Sequence, residues 1–376
     1  MTHTNRVLQM TVGLFVIGRL MMRYKNVVLS IAWLTLVCGA SAHQANSQNT
    51  TARAAPTAGA ARALIPHESW TCGMAEGIPN PESGTLVFEA EMKFERILDV
   101  GRTPYGNRQV VVVQEGAVSG PKLSGAVMPG ALDFELELSN GTIEVEQVLV
   151  VKTTDGKYVY ARNAGTGADS NDVRVVMDFE APNDGSFAWL NSGKYVARRV
   201  LNSAAKTLTM RVYDVSGVTV AAAPTNSIPI RKPEGVPSQP WDYRRADASE
   251  KQGNVVVTEA VILSPSQTVG ASKRGNRNVI PITGGELSGR ITGKVLFGGA
   301  DYQSRPNPPA IDARYLWQTS DGDIIIVRNT GSGTLIPTFE VRTDSRYAWL
   351  NTGRFLSSPP GVKPGGVGIT IYESNR

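Results

Sequence analysis

The sequence predicts an all-β chain folded as two antiparallel β-barrels in tandem, and three observations carry that prediction. The chain repeats itself: Phe187-Ala188-Trp189-Leu190-Asn191-Ser192-Gly193 returns as Tyr347-Ala348-Trp349-Leu350-Asn351-Thr352-Gly353, and Arg162-Asn163-Ala164-Gly165 returns as Arg328-Asn329-Thr330-Gly331. Asp155-Gly156 and Asp321-Gly322 each stand between strand-like runs, Val148 to Lys152 with Tyr158 to Arg162 and Tyr315 to Gln318 with Ile324 to Arg328, a strong hairpin signal. Finally, 38 Gly and 22 Pro, with no sustained helical period inside either repeat, call for many turns and bends. Closing roughly eight strands per half into a barrel leaves no exposed edge.

The elements follow in order. Arg23 and Lys25 precede an apolar run from Val27 to Val37, and Ala40-Ser41-Ala42 supplies a small-residue cleavage pattern, so residues 1–42 read as an export signal cut after Ala42. The apolar run is too short for a retained membrane span. Cys38 follows Val37, where lipid attachment needs a small residue. The mature protein is therefore expected to be periplasmic or secreted, with no stable membrane span. Residues 43–66 form a polar leader, 67–215 the first barrel, 216–253 a connector carrying Pro224, Pro229, Pro233, Pro237 and Pro240, and 254–376 the second barrel. Trp241 and Tyr243 in the connector are expected to dock on a barrel.

Composition narrows the function. Apolar residues make up 41% and charged residues 19%, as in ordinary globular proteins. Residues 1–42 hold Arg6, Arg19, Arg23 and Lys25 and no acid, so the 38 basic residues fall to 34 against 33 acids on cleavage. The near-neutral remainder carries no nucleic-acid footprint. Cys72 is then the one cysteine and His43 and His67 the two histidines, which argues against an internal disulfide, a His/Cys zinc site or a Ser-His-Asp arrangement within either barrel. Gly165-Thr166-Gly167 is too short for a phosphate loop. No cofactor and no metal are expected.

The two halves align almost without gaps. Gly106-Asn107-Arg108 matches Gly275-Asn276-Arg277, Ala131-Leu132-Asp133-Phe134 matches Gly299-Ala300-Asp301-Tyr302, and Phe179-Glu180 and Phe339-Glu340 each precede the Trp of the repeated phrase by ten residues, counted from the Phe. Arg211-Val212-Tyr213 answers Thr370-Ile371-Tyr372 at the ends. Arg277-Asn278-Val279-Ile280-Pro281-Ile282-Thr283-Gly284-Gly285, Gly298-Gly299-Ala300-Asp301-Tyr302, Asp312-Ala313-Arg314-Tyr315, Asp321 to Asn329 and Tyr347-Ala348-Trp349-Leu350-Asn351 together resemble the domain-of-unknown-function family 3237 (DUF3237). The likeness covers about Val255 to Glu373. Thr85 to Val215 resembles it more loosely, with Glu146, Val148 and Leu149 in place of Asp312, Arg314 and Tyr315. It implies a calycin-like, lipocalin-like barrel for each half and no particular reaction.

The candidate site is a set of acids, arginines and aromatics at matched positions. Asp312, Arg314, Leu316 and Gln318 share one face of a strand and Ile324, Ile326 and Arg328 one face of its partner, so a carboxylate and a guanidinium are expected to meet inside the second barrel. The functional reading is a small, apolar or aromatic molecule held in that barrel by Tyr302, Arg314, Tyr315, Trp317, Arg328, Asn329, Trp349 and Asn351, with Asp301, Asp312, Arg314 and Arg328 fixing its polar end. The first-barrel equivalents are Asp133, Glu146, Arg162, Asn163, Trp189 and Asn191. An enzymatic alternative is a cofactor-independent isomerase, cyclase or lyase with Asp301 or Asp312 as catalytic base and Arg328 or Tyr315 on an oxyanion. A third reading is a structural or interaction module of the cell envelope. Against all site roles stands a structural one: the charges are ion pairs, Arg162 and Arg328 find partners in Asp133 and Asp301, and Trp189 and Trp349 plug the barrel ends.

Overall fold

The computed structural model of the protein describes residues 64–65, 77–169, 171–219, 228–229, 247–305 and 310–375. The export signal, most of the leader, His67, Cys72, Trp241 and Tyr243 lie outside the described residues. Two closed, eight-stranded antiparallel barrels stand in tandem. The first closes because Thr85–Arg102 pairs both with Asn107–Ser119 and with Thr207–Asp214. In the second, Lys251–Leu263 pairs both with Gly275–Gly289 and with Gly366–Asn375. Both Asp-Gly turns form as expected: Gly156 links Ile143–Thr153 to Tyr158–Gly167, Gly322 links Ile311–Thr319 to Ile324–Ser332, and their φ angles of 82° and 94° suit glycine. Among the described residues no helix is long and apolar enough to cross a membrane.

Each barrel is filled by its own side chains. Met92, Leu149, Val151, Phe179, Tyr195 and Met210 belong to the first core, and Tyr315, Trp317, Phe339 and Phe355 to the second. The repeated phrase caps these cores. In both copies its Ala-Trp-Leu-Asn makes one turn of 3₁₀ helix, Ala188–Asn191 and Ala348–Asn351, with Leu190 and Leu350 buried and Trp189 and Trp349 packed on the core below. Asn191 accepts the Ala181 N–H at 2.8 Å and donates to the Ala181 carbonyl at 2.9 Å. Asn351 does the same with Val341, at 2.9 Å for both bonds. Each amide thus stands in for a neighbouring strand, satisfying one backbone donor and one acceptor just past the Phe-Glu pair. The glycine that closes the phrase makes room for a ring: a Cβ on Gly193 would lie 2.1 Å from Tyr195 Oη, and one on Gly353 2.2 Å from Phe355 Cζ.

The barrels meet along a seam with a pseudo-two-fold relation. Leu98, Val110, Val112, Leu132 and Phe134 of the first form one buried cluster with Leu296, Leu316, Ile324 and Ile326 of the second. Matched polar contacts flank it. Arg108 Nε donates to Glu340 at 2.8 Å and Thr103 Oγ1 joins the same carboxylate at 2.7 Å. Across the seam, Arg277 Nη2 donates to Glu180 at 2.6 Å and Ser272 Oγ joins it, also at 2.6 Å. The Thr343 N–H donates to the Arg102 carbonyl at 2.7 Å, and the Asn183 N–H to Ala271 at 2.8 Å. A contact that recurs with its partners exchanged is the mark of an isologous interface, here between two halves of one chain.

Candidate functional site

Strands buried on two faces distribute the candidate residues over three places. Along Ile311–Thr319, Ala313, Tyr315 and Trp317 point into the barrel, while Leu316 points into the seam. Arg314 and Arg328 share the outward face and meet Glu146 of the first barrel. Arg314 Nη1 donates to Glu146 Oε1, and Arg328 Nη2 reaches Glu146 Oε2 at 2.9 Å. The expected carboxylate–guanidinium contact therefore forms between the barrels and not inside the second one. The correction has a physical cause: core and seam are both apolar, so alternation along the strand does not identify the inner face. Burial pushes the Glu146 carboxyl up, but Arg314 and Arg328 outweigh it by charge and hydrogen bonding and hold it down at about 2. The Arg328 guanidinium also lies 5.0 Å from the Phe134 ring centroid.

Arginine partners differ from those expected. Arg162 Nε donates to Asp178 at 3.0 Å, and Asp178 also receives Lys273 at 2.7 Å from the second barrel. Asp133 takes Arg199 instead, at 2.7 Å, inside the first barrel, where Glu135 and Gln147 complete a buried polar set. Asn163 donates to Gln147 Oε1 there at 2.9 Å. In the second barrel Asn329 Nδ2 donates to Ser357 Oγ at 3.2 Å, and Asp301 accepts Gln303 at 2.7 Å. Trp349 stacks under Arg290 at 4.5 Å and Trp189 lies 5.6 Å from Lys122 Nζ, so both indoles have cationic neighbours at the barrel caps.

Inside the second barrel the central group is one that sequence reading passed over. Glu259 is fully buried, accepts the Tyr315 hydroxyl at 2.6 Å and accepts the Trp317 indole N–H at 3.0 Å. Burial lifts its carboxyl to about 7 against the lowering effect of those two hydrogen bonds. The first barrel holds Ala90, Leu149 and Val151 at the equivalent positions, all in its apolar core. Arg108, Arg277, Glu180 and Glu340 were likewise visible only as markers of the repeat, in Gly-Asn-Arg and Phe-Glu; their recurrence as charges in otherwise apolar strands was the available signal.

A cleft of about 870 Å³ opens on the outer wall of the second barrel. It is lined by Tyr302, Asp312, Thr330, Ile336 and Leu356, by Arg277 beside the seam, and by Asp247, Glu250 and Lys251. Asp312 links cleft to seam: its half-buried carboxylate receives Arg314 Nε at 3.0 Å and Nη2 at 3.0 Å and borders the open space. Tyr302 is braced by Tyr160 of the first barrel, 5.7 Å between ring centroids, and Arg277 lies 4.6 Å from the Tyr160 centroid. Of the candidates, Tyr302 and Asp312 thus face the cleft. Arg314, Arg328 and Glu146 stand behind it in the seam, and Asp301, Tyr315, Trp317 and Asn329 lie within the barrel.

A UPF0311 protein of Bradyrhizobium diazoefficiens is 48% identical over 66 residues, covering 17% of this chain and 43% of the relative, and a UPF0311 protein of Rhodopseudomonas palustris is 33% identical over 79 residues, covering 21% and 52%. The chain thus spans about half the length of these relatives. A crystal structure from Acinetobacter baumannii described as a beta-barrel like protein is 25% identical, with a TM-score of 0.30, covering 35% of this chain and 100% of that one. The family model described as protein of unknown function (DUF3237) matches residues 83–216 and again 252–336, and the chain therefore belongs to the DUF3237 family, carrying its domain twice.

Proposed function

We propose that the chain binds a small molecule in the cleft on the second barrel, with Asp312 as the polar anchor. The observation behind this is the cleft itself: about 870 Å³ with apolar Ile336 and Leu356 and a carboxylate already oriented by Arg314. A carboxylate accepts hydrogen bonds, so the group suits a ligand's hydroxyl or amide N–H. Much of the charge about the cleft is paired, Arg277 with Glu180, Arg314 and Arg328 with Glu146 and Asp312, and Arg354 with Glu250, and Asp247 and Lys251 also line it. The ligand we propose is an uncharged molecule with an apolar body and hydrogen-bond donors. Relative to a ligand inside the barrel, the site moves to the outer wall, because Tyr315, Trp317, Phe339 and Phe355 occupy the interior.

A thermal-shift screen of neutral small molecules, followed by calorimetric titration, tests the reading. Compounds that stabilise the protein are expected to lose about tenfold or more in affinity in Asp312→Ala, the cost of a lost hydrogen bond to a charged group. Binding that is indifferent to Asp312 and to Tyr302→Ala would place the ligand elsewhere and sink the proposal.

A further inference from the structure

A second hollow, of about 140 Å³, lies on the seam and shares no residue with the cleft. Two irregularities in the first barrel build its rim. Lys93 pairs with Glu115 and Phe94 with Val113, which leaves Gln114 over; Ile97 then pairs with Val111, so Glu95 and Arg96 stand together against Val112. Neighbouring side chains of a regular strand leave on opposite faces, and a bulge re-aims one of them. Here Glu95, Arg96 and Gln114 are all exposed and all border the same hollow. Its apolar lining comes from both barrels, Leu98 and Val112 from the first and Leu296 and Phe297 from the second, and Phe297 keeps 37% of its surface exposed. Beside it the barrels are held close: a Cβ on Gly298 would lie 2.6 Å from Val112 Cγ1, and the Gly299 N–H donates to the Gly130 carbonyl at 2.7 Å.

Among the described residues, the side chains of Glu95, Arg96 and Gln114 have no hydrogen-bond or ion-pair partner. A space of about 140 Å³ suits one phenyl ring or one branched aliphatic side chain, and the rim offers one positive and one negative charge to whatever carries that side chain. We infer that the hollow is a second binding site, for a free α-amino acid with an aromatic or branched aliphatic side chain. That side chain enters between Leu98, Val112, Leu296 and Phe297, Arg96 donates to the carboxylate, and Glu95 accepts from the ammonium. Gln114 adds an amide that can serve either group. A simple acid or a simple amine would leave one rim charge without its counterpart. The site stands independently of the cleft and of Asp312.

The test titrates L-phenylalanine into the full chain with leucine and valine methyl groups labelled for NMR, because the ring current of the ligand shifts the methyl groups it touches. Saturable shifts are expected at Leu98, Val112 and Leu296. Glycine, which lacks the side chain, should bind at least about tenfold more weakly. 3-Phenylpropanoate and phenethylamine each lack one charge and should bind about fivefold more weakly. Arg96→Gln and Glu95→Gln, both at exposed positions, should each cost about fivefold in affinity for phenylalanine and leave the melting temperature of the free protein unchanged. In Arg96→Gln, phenylalanine and phenethylamine should bind alike, since the carboxylate has lost its partner. No saturable shift at the three residues, or shifts at Leu356 in the cleft instead, overturns the site. Shifts at the three residues that are as strong with 3-phenylpropanoate or phenethylamine, or unchanged in both variants, overturn the assignment to an amino acid.

Discussion

Glu259→Gln should convert a pH-dependent protein into a less pH-dependent one, and the size of the change follows from the second core. The groups that hold the Glu259 oxygens in that core are neutral, the Tyr315 hydroxyl and the Trp317 indole. Its carboxyl titrates near 7 in the fold against a reference value of 4.5. The native state consequently holds the proton through a range where the unfolded chain releases it, and stability falls as pH rises from about 4.5 to about 7, then levels off. At about 1.4 kcal/mol for each pH unit between those two values, the loss amounts to roughly 3 kcal/mol between pH 4 and 8. Glutamine fits the same site: its carbonyl accepts Trp317 Nε1–H and its amide donates to Tyr315, whose hydroxyl can rotate to accept. Urea denaturation of both proteins at pH 4 and pH 8 measures the difference. Buried Glu144, also raised to about 7, is common to both and cancels. The variant should gain roughly 3 kcal/mol on the wild type in going from pH 4 to pH 8. A gap that stays constant across that range would refute the assignment of a raised carboxyl to Glu259.

Other outcomes follow from the seam and the caps. Glu146→Ala leaves Arg314 and Arg328 buried without their shared counter-charge and should destabilise the protein by about 3–5 kcal/mol in chemical denaturation. Arg108→Ala and Arg277→Ala remove pseudo-equivalent bridges, and because the two bridges share no partner, their costs should add within about 0.5 kcal/mol in the double variant. Asn191→Ala and Asn351→Ala each strand one backbone N–H and one carbonyl and should each cost about 1–3 kcal/mol, with amide exchange at Ala181 and Val341 accelerating in the respective variant.

What could be read from the sequence was mostly local. Asp155-Gly156 and Asp321-Gly322 carry their turns within two residues, and the repeated Trp-Leu-Asn phrase declared both the duplication and the capping of the barrels. The inner face of each strand was not legible, because Tyr315 and Leu316 are both buried, one in the core and one in the seam. Nor were the charge partners: Arg314 meets Glu146 from 168 residues away, and the nearer acids at matched positions looked equally suitable. Glu259 was hidden for a related reason. Its strand also carries Lys251, Gln252, Asn254 and Thr258, and only the convergence of Tyr315 and Trp317 marks Glu259 out.

The isologous seam has a consequence for how such a protein can change over generations. In a symmetric pair of separate copies, any substitution appears twice and is judged at both places at once. Joining the copies in one chain frees each position from its twin. Ala90, Leu149 and Val151 stand opposite Glu259, Tyr315 and Trp317 as differences that an obligatory symmetry would forbid. Tyr160 and Glu180 of the first half brace Tyr302 and Arg277 of the second, so that each half can vary while the other holds it in place.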